Sequence, residues 1–159
     1  MRVACVCPKP RLSRSEPLRF FVVAAGRIKE KSLRAVADDY LGRVRRYARC
    51  DEIEVKDDAG LARALPPDAL IVALEVNGDQ LSSSELSQRV ERWTSRGKGA
   101  VAFVIGGAEG IPTELSKKAD ARLSLSRLTL PHRIARVVLL EQLYRSLSIL
   151  RGEPYARED

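Results

Sequence analysis

FVIGGAEGIP (103–112) and LSLSRLTLPHRIARVVLLEQLYRSLSILRGEPYARE (123–158) decide the reading of this chain. In the first stretch an apolar strand runs into a glycine cluster, Gly106-Gly107-Ala108-Glu109-Gly110. In the second, a short strand passes through an apolar loop to His132, the only histidine of the chain. Pro131 opens a long helix there and Gly152 ends it. Ile134, Val137, Val138, Leu139, Leu140, Leu143, Leu147, Ile149 and Leu150 occupy nearly every side of that helix. A helix apolar all round is buried all round, and a sheet alone does not cover its whole circumference. The pattern predicts a homodimer packed through the C-terminal helix, with Leu139, Leu143, Leu147 and Leu150 as interface candidates. Glu141 and Arg145 are four apart on one face. They either pair within the helix or reach across the dimer to position the tail, Tyr155 and Arg157.

Upstream, the apolar run FFVVAAG predicts a buried first strand from Phe20 to Gly26. Leu33, Val36, Ala37, Tyr40, Leu41 and Val44 recur at helical spacing over about 31–47, with Arg34, Arg43, Arg45 and Arg46 on the outer face. That face is either solvated or turned to RNA. DEIEVK (51–56) alternates as a second strand, and a short helix near 59–65 stops at Pro66-Pro67. ALIVALEV (69–76) reads as a third strand ending in an Asn77-Gly78 turn. Ser82 to Glu85 has capping-box spacing for a helix to about Ser95, stopped at Gly97. AVAFVI (100–105), a helix TELSKK after Pro112, and ARLSLS (121–126) complete the series. Strand and helix alternate throughout, which predicts an α/β fold with a parallel open sheet and helices on both faces. Ligands of such sheets bind at the carboxyl ends of strands, here Leu74 to Val76, Gly106-Gly107 and Leu125 to Leu130.

The chain has 159 residues, a net charge of +7 and 45% hydrophobic residues, enough for one domain with a real core. Of its 28 basic residues 21 are arginine, the better partner for phosphates and stacked bases, which favours nucleic acid among polyanions. No apolar run approaches the ~20 residues that span a bilayer. Cys5, Cys7 and Cys50 give neither a disulfide framework nor, with one histidine, a zinc ligand set. They read as reduced thiols of a cytoplasmic protein, and no metal is expected. Residues 1–18 carry no periodicity and no secretory signal, and are expected to be a disordered extension before a single domain, 19–159.

The glycine cluster fails the dinucleotide pattern, because it follows the fourth strand and no acidic residue ends a later strand at the required distance. No Gly-Lys-Ser/Thr element marks a P-loop. The glycines either admit a flat ring such as adenine against bare backbone, or simply form a tight turn. His132 falls in the first helical turn, from which an imidazole can accept a proton; a structural role is the alternative.

FVIGGAEG, LSLSRLTLPH, RVVLLEQLYR and RGEPYARE, with VALEVNG and VERW in support, resemble the RlmH family in order and spacing over about 70–158, and more loosely over 19–69. These are small SPOUT-class methyltransferases that modify a pseudouridine of large-subunit ribosomal RNA. The resemblance implies a C-terminal trefoil knot, a homodimer and S-adenosyl-L-methionine (SAM) as cofactor. It implies methyl transfer to N3 of a pseudouridine in 23S rRNA within the assembled ribosome. Matching positions make Leu74, Gly106, Leu125, Ser126, Arg127, Leu128, Thr129 and Leu130 the expected cofactor pocket. His132, Glu141, Arg145 and Tyr155 match the functional C-terminal set, with Tyr155 and Arg157 facing RNA. The chain departs from the family in a shortened segment, AGLARALPPD, and in PYAR, where Ala156 supplies no second imidazole. A related enzyme for another RNA such as tRNA, or a non-catalytic ribosome-binding factor, are the competing readings.

Overall fold

The computed structural model describes residues 17–96 and 98–157. The order is β1 (Arg19–Ala25), α1 (Lys31–Val44), β2 (Arg49–Val55), a 3-10 turn (Asp58–Gly60) into α2 (Leu61–Ala64), and β3 (Leu70–Gln80). Then come α3 (Ser83–Arg96), β4 (Ala100–Ile105), α4 (Thr113–Lys118), β5 (Ala121–Ser124), α5 (His132–Arg151) and a last 3-10 turn, Pro154–Arg157. All strands are parallel in one sheet, ordered β2-β1-β4-β3-β5. The expected extension, 1–18, and the helix stop at Gly97 fall largely or wholly outside the described residues.

Alternation along the strands sorts the two faces. Phe20, Val22 and Ala24 of β1, with Val72, Val101 and Phe103, point toward α1, α3 and α5 and form the main core. Phe20, Phe103 and Trp93 meet there with ring centroids about 6 Å apart. Val23, Ala25 and Val104 point the other way, onto Leu61 of α2 and Leu115 of α4.

Local signals in the sequence set several element ends. The Ser82 hydroxyl accepts the Glu85 N–H at 3.2 Å while the Glu85 carboxylate accepts the Ser82 N–H at 2.7 Å, a reciprocal cap for α3. Gly152 takes φ +70 after α5, the left-handed conformation that glycine adopts without strain.

Two expectations are corrected. Asn77-Gly78 is not a turn: β3 continues to Gln80, pairing with β5 first at Val72 to Leu74 and again at Asp79 and Gln80. The intervening residues bulge out of register. A Cβ on Gly78 would lie 2.6 Å from the Leu123 carbonyl carbon, so the glycine is required by the approach of β5 rather than by a reversal of the chain. Second, Leu139, Leu143 and Leu147 are fully buried within the protomer and are not interface residues. The reason is that α5 lies between α1 and α3, which cover two flanks while the sheet covers a third.

Among the described residues, Arg136 is the largest wholly buried side chain, at 0% exposure. Its guanidinium donates to Glu54 at 2.6 Å, to Glu52 at 3.1 Å and to the Gly26 carbonyl at 2.8 Å. Arg34, expected on the outer face of α1, also turns inward to Glu52. Arg43 pairs with Asp39, and Arg45 donates to the Cys50 carbonyl. Burial pushes the Cys50 thiol up to about 12, so it stays protonated at neutral pH.

Candidate active site

Two neighbouring clefts open at the carboxyl ends of the strands, where open α/β sheets place their ligands. The first is formed by the bulge of β3 and the end of β5: Leu74, Glu75 and Val76 face Leu123 to Ser126, closed by Leu128, Leu130 and Ala135. Its volume is about 80 Å³, and its wall is mostly apolar. The Ser124 hydroxyl donates to the Ser126 carbonyl at 2.9 Å, and the Ser126 hydroxyl accepts the Leu128 N–H at 2.9 Å. These bonds shape the 124–128 segment and leave Leu128 74% exposed at the rim. An exposed leucine over an apolar slot suits a flat heteroaromatic ring.

The second cleft holds about 530 Å³ and lies at the ends of β1, β2 and β4. Gly26, Asp57, Asp58, Gly107, Glu109 and His132 are among its walls. The Asp58 carboxylate accepts the Gly107 N–H at 2.6 Å. His132 lines this cleft, and its Nδ1 is buried without a hydrogen-bond partner. A Cβ on Gly26 would lie 3.1 Å from His132 Cε1, so bare backbone makes room for the ring. The first turn of α5 is the partition, with Leu130 and Ala135 on one side and His132 on the other.

The expected residues therefore fall into distinct places. Leu74, Leu125, Ser126, Leu128 and Leu130 come together around the first cleft. Arg127 and Thr129 belong to the same segment but do not line it. Gly106 does not line it either: a Cβ there would lie 2.4 Å from the Gly110 carbonyl carbon, and Gly107 bridges to Gly110. The glycine cluster is a tight turn folded on itself. Glu141, Arg145 and Tyr155 form a separate cluster farther along α5. Nine residues separate His132 from Glu141, roughly 13 Å along the helix. Glu141 accepts the Arg145 Nε–H at 2.9 Å and the Tyr155 hydroxyl at 3.0 Å. Tyr155 lies 4.5 Å from the Tyr144 ring and 5.0 Å below the Arg145 guanidinium. Burial, with hydrogen bonds to Tyr40 and Glu141, raises the Tyr155 phenol well above its usual range and keeps it a donor. Tyr47 anchors the tail again through Glu153. All four tyrosines of the chain thus gather at the tail. The Arg157 side chain lies outside the described residues.

A parallel five-stranded sheet with a ligand pocket at a strand end and a C-terminal helix returning across one face is the architecture of the SPOUT methyltransferases, a knotted fold. Residues 18–156 match the family described as "Predicted SPOUT methyltransferase". The ribosomal RNA large subunit methyltransferase H of Sorangium cellulosum is 56% identical over 145 residues, covering 87% of this chain and 99% of that protein. The enzyme of the same name from Acetivibrio thermocellus is 40% identical over 159 residues, covering 88% and 100%. The chain belongs to the ribosomal RNA large subunit methyltransferase H family. The fold is shared with solved structures of low identity. The tRNA (m1G37) methyltransferase of Aquifex aeolicus superposes with a TM-score of 0.54 at 16% identity, over 88% of this chain and 74% of that one. A probable methyltransferase of Bordetella pertussis superposes with a TM-score of 0.52 at 14% identity, over 82% and 96%.

Proposed function

We propose that the protein transfers a methyl group from S-adenosyl-L-methionine to N3 of a pseudouridine in 23S rRNA, acting on the assembled ribosome as a homodimer. The observation that carries this reading is the pair of adjacent clefts divided by the first turn of α5, in a chain of this family. The smaller cleft suits the adenosyl end of the cofactor: Leu74, Leu125, Leu128 and Leu130 supply apolar surface, and residues 124–128 are shaped by their own hydrogen bonds. When bound, the cofactor supplies an electrophilic sulfonium methyl. The protein's own task is to hold the acceptor in line and to receive its proton. The His132 ring lines the larger cleft with Nδ1 buried, and its other nitrogen, Nε2, is our candidate base for the N3 proton. The pseudouridine leaves its stack to reach it.

His132 and the tail cluster are too far apart within one protomer to serve one base. The homodimer resolves this, with the tail of one protomer completing the cleft of its partner. Ile134, Val138, Glu141, Arg145 and Ile149 share the outward face of α5, and Ile134 is 38% exposed. Ile149→Glu is expected to convert a micromolar dimer to monomer in light scattering while α5 remains folded. A wild type that is monomeric and active sinks the dimer.

The tail separates recognition from cofactor binding. Tyr155→Ala removes the ring stack and the bond to Glu141, and is expected to lower ribosome methylation roughly tenfold to hundredfold. Its affinity for the cofactor in calorimetry should stay at the wild-type value. Tyr155→Phe keeps the ring contacts and should fall between the two. Wild-type methylation by Tyr155→Ala means the tail takes no part.

The reading as a whole is tested by mass spectrometry of rRNA nucleosides from a strain lacking the gene. Loss of 3-methylpseudouridine from 23S rRNA, restored by the gene, is expected. Its persistence, or loss of a modified nucleoside from tRNA instead, overturns the proposal.

A further inference from the structure

The cleft beside His132 contains a second polar group that is fixed in place and has spare hydrogen-bonding capacity. Asp58 is half-buried, and the Gly107 N–H holds one carboxylate oxygen, Oδ1, at 2.6 Å. A Cβ on Gly107 would approach that oxygen to 3.3 Å, so the carboxylate rests on bare backbone as the imidazole does on Gly26. Oδ2 accepts no hydrogen bond among the described residues. The other carboxylates of the cleft differ: Asp57 is exposed and caps Gly60, and Glu109 is exposed on the glycine turn.

A carboxylate is an acceptor only, so the partner it fits is a ring N–H. Pseudouridine is joined to its sugar through C5 and therefore carries N–H groups at both N1 and N3, flanking the C2 carbonyl at the end of the ring far from the sugar. Uridine uses N1 for the glycosidic bond and has no N–H there. A flipped pseudouridine entering the cleft leads with the edge that bears both donors. We propose that this cleft is the nucleobase site, that His132 Nε2 meets the N3–H, and that Asp58 Oδ2 accepts the N1–H. Asp58 is then the residue that tells pseudouridine from uridine. This rests on the pseudouridine reading above. A site built to accept a particular N–H rejects the analogue that lacks it, because its own polar group is left unpaired.

Asp58→Asn isolates the role. The amide oxygen can still accept the Gly107 N–H, while the second position changes from acceptor to donor. The measurement is equilibrium binding of the protein, without cofactor, to ribosomes unmethylated at the target and carrying either pseudouridine or uridine there. The wild type is expected to prefer pseudouridine by at least about tenfold, and Asp58→Asn to bind both at the wild-type uridine level. A structural role for Asp58 would instead weaken both equally. A variant that keeps the preference, or a wild type with none, overturns the assignment. If nucleoside analysis finds 3-methylpseudouridine dependent on the gene, such a failure is confined to Asp58; if not, the parent reading has failed. A second measurement needs no variant. His132 is the only histidine, so its Cε1–H resonance is a single reporter in the cleft. Free pseudouridine should shift it, and 1-methylpseudouridine and uridine should not. Equal shifts from all three, or none from pseudouridine, reject the site.

Discussion

Arg136→Ala is expected to lower the unfolding free energy by about 3–5 kcal/mol, the usual loss when one partner of a buried ion pair is removed. The guanidinium is wholly buried and holds Glu52, Glu54 and the Gly26 carbonyl together. Its removal leaves Glu52, whose side chain is 9% exposed, and Glu54, which at 27% already reaches solvent, so the loss falls toward the lower end of that range. Arg34 moderates the loss for Glu52, which it already binds, and whose hydrogen bond raises the Arg34 pKa despite partial burial. Glu54 has weaker alternatives, Arg34 at 3.8 Å and Arg27 at 3.7 Å. For a domain of this size such a loss lowers the melting temperature by about 10 °C. Adding Glu52→Gln and Glu54→Gln to Arg136→Met should recover much of it, since no charge then remains buried unpaired. Thermal and urea unfolding decide. A change below about 1 kcal/mol for Arg136→Ala would mean that water reaches the pair. The Gly26 carbonyl belongs to the turn on which the His132 ring rests, so any folded Arg136 variant should also lose activity.

The second large effect is expected at Gly106. An added Cβ meets backbone atoms of Gly110 at 2.4 Å and Ile111 at 2.6 Å, and backbone cannot turn aside as a flexible side chain can. Gly106→Val should destabilise the protein by about 3 kcal/mol or more through overpacking. It should also displace the turn that presents Gly107 to Asp58. The clash lies inside the turn, between Gly106 and the backbone of Gly110 and Ile111. Gly110→Ala is the control. Nothing lies within 4 Å of its added Cβ, but its φ is +80, so its cost is that of left-handed backbone, about 1–2 kcal/mol. If the two variants unfold alike, close approach at Gly106 is not what the glycine provides.

The elements legible in the sequence are those set by local chemistry. Ser82 and Glu85 cap α3 as their spacing implies, and Pro131 and Gly152 bracket α5. Strand alternation placed the sheet. Long-range contacts were not legible. Asn77-Gly78 is a strong turn signal within four residues, but pairing with β5, some forty residues later, draws the same residues into a bulge. That bulge shapes the smaller cleft. Arg136 sits in an apolar helix with no acidic partner at helical spacing; its partners are on β2, more than 80 residues away. The available hint was Glu52 and Glu54, two carboxylates on one face of a strand. Asp58 carried only the general sign of an acidic pair before a glycine. Leu125, Ser126, Leu128 and Leu130 line one cleft while Glu141, Arg145 and Tyr155 gather near the tail, a separation over several turns of α5 that sequence order conceals.

The seating of α5 sets the order in which this protein can be made. Leu139, Leu140, Leu143 and Leu147 complete a core whose other buried members, from Phe20 to Leu123, are all synthesised earlier. During translation the strip of the apolar face between α1 and α3 therefore stays open until α5 has left the exit tunnel. Parallel pairing is slow because each strand awaits a distant neighbour, and here β1 waits for β4. A nascent chain stalled before His132 should remain open to protease, and one released after the tail should become resistant. The core of this protein thus closes only once α5, its last long helix, is free of the ribosome that made it.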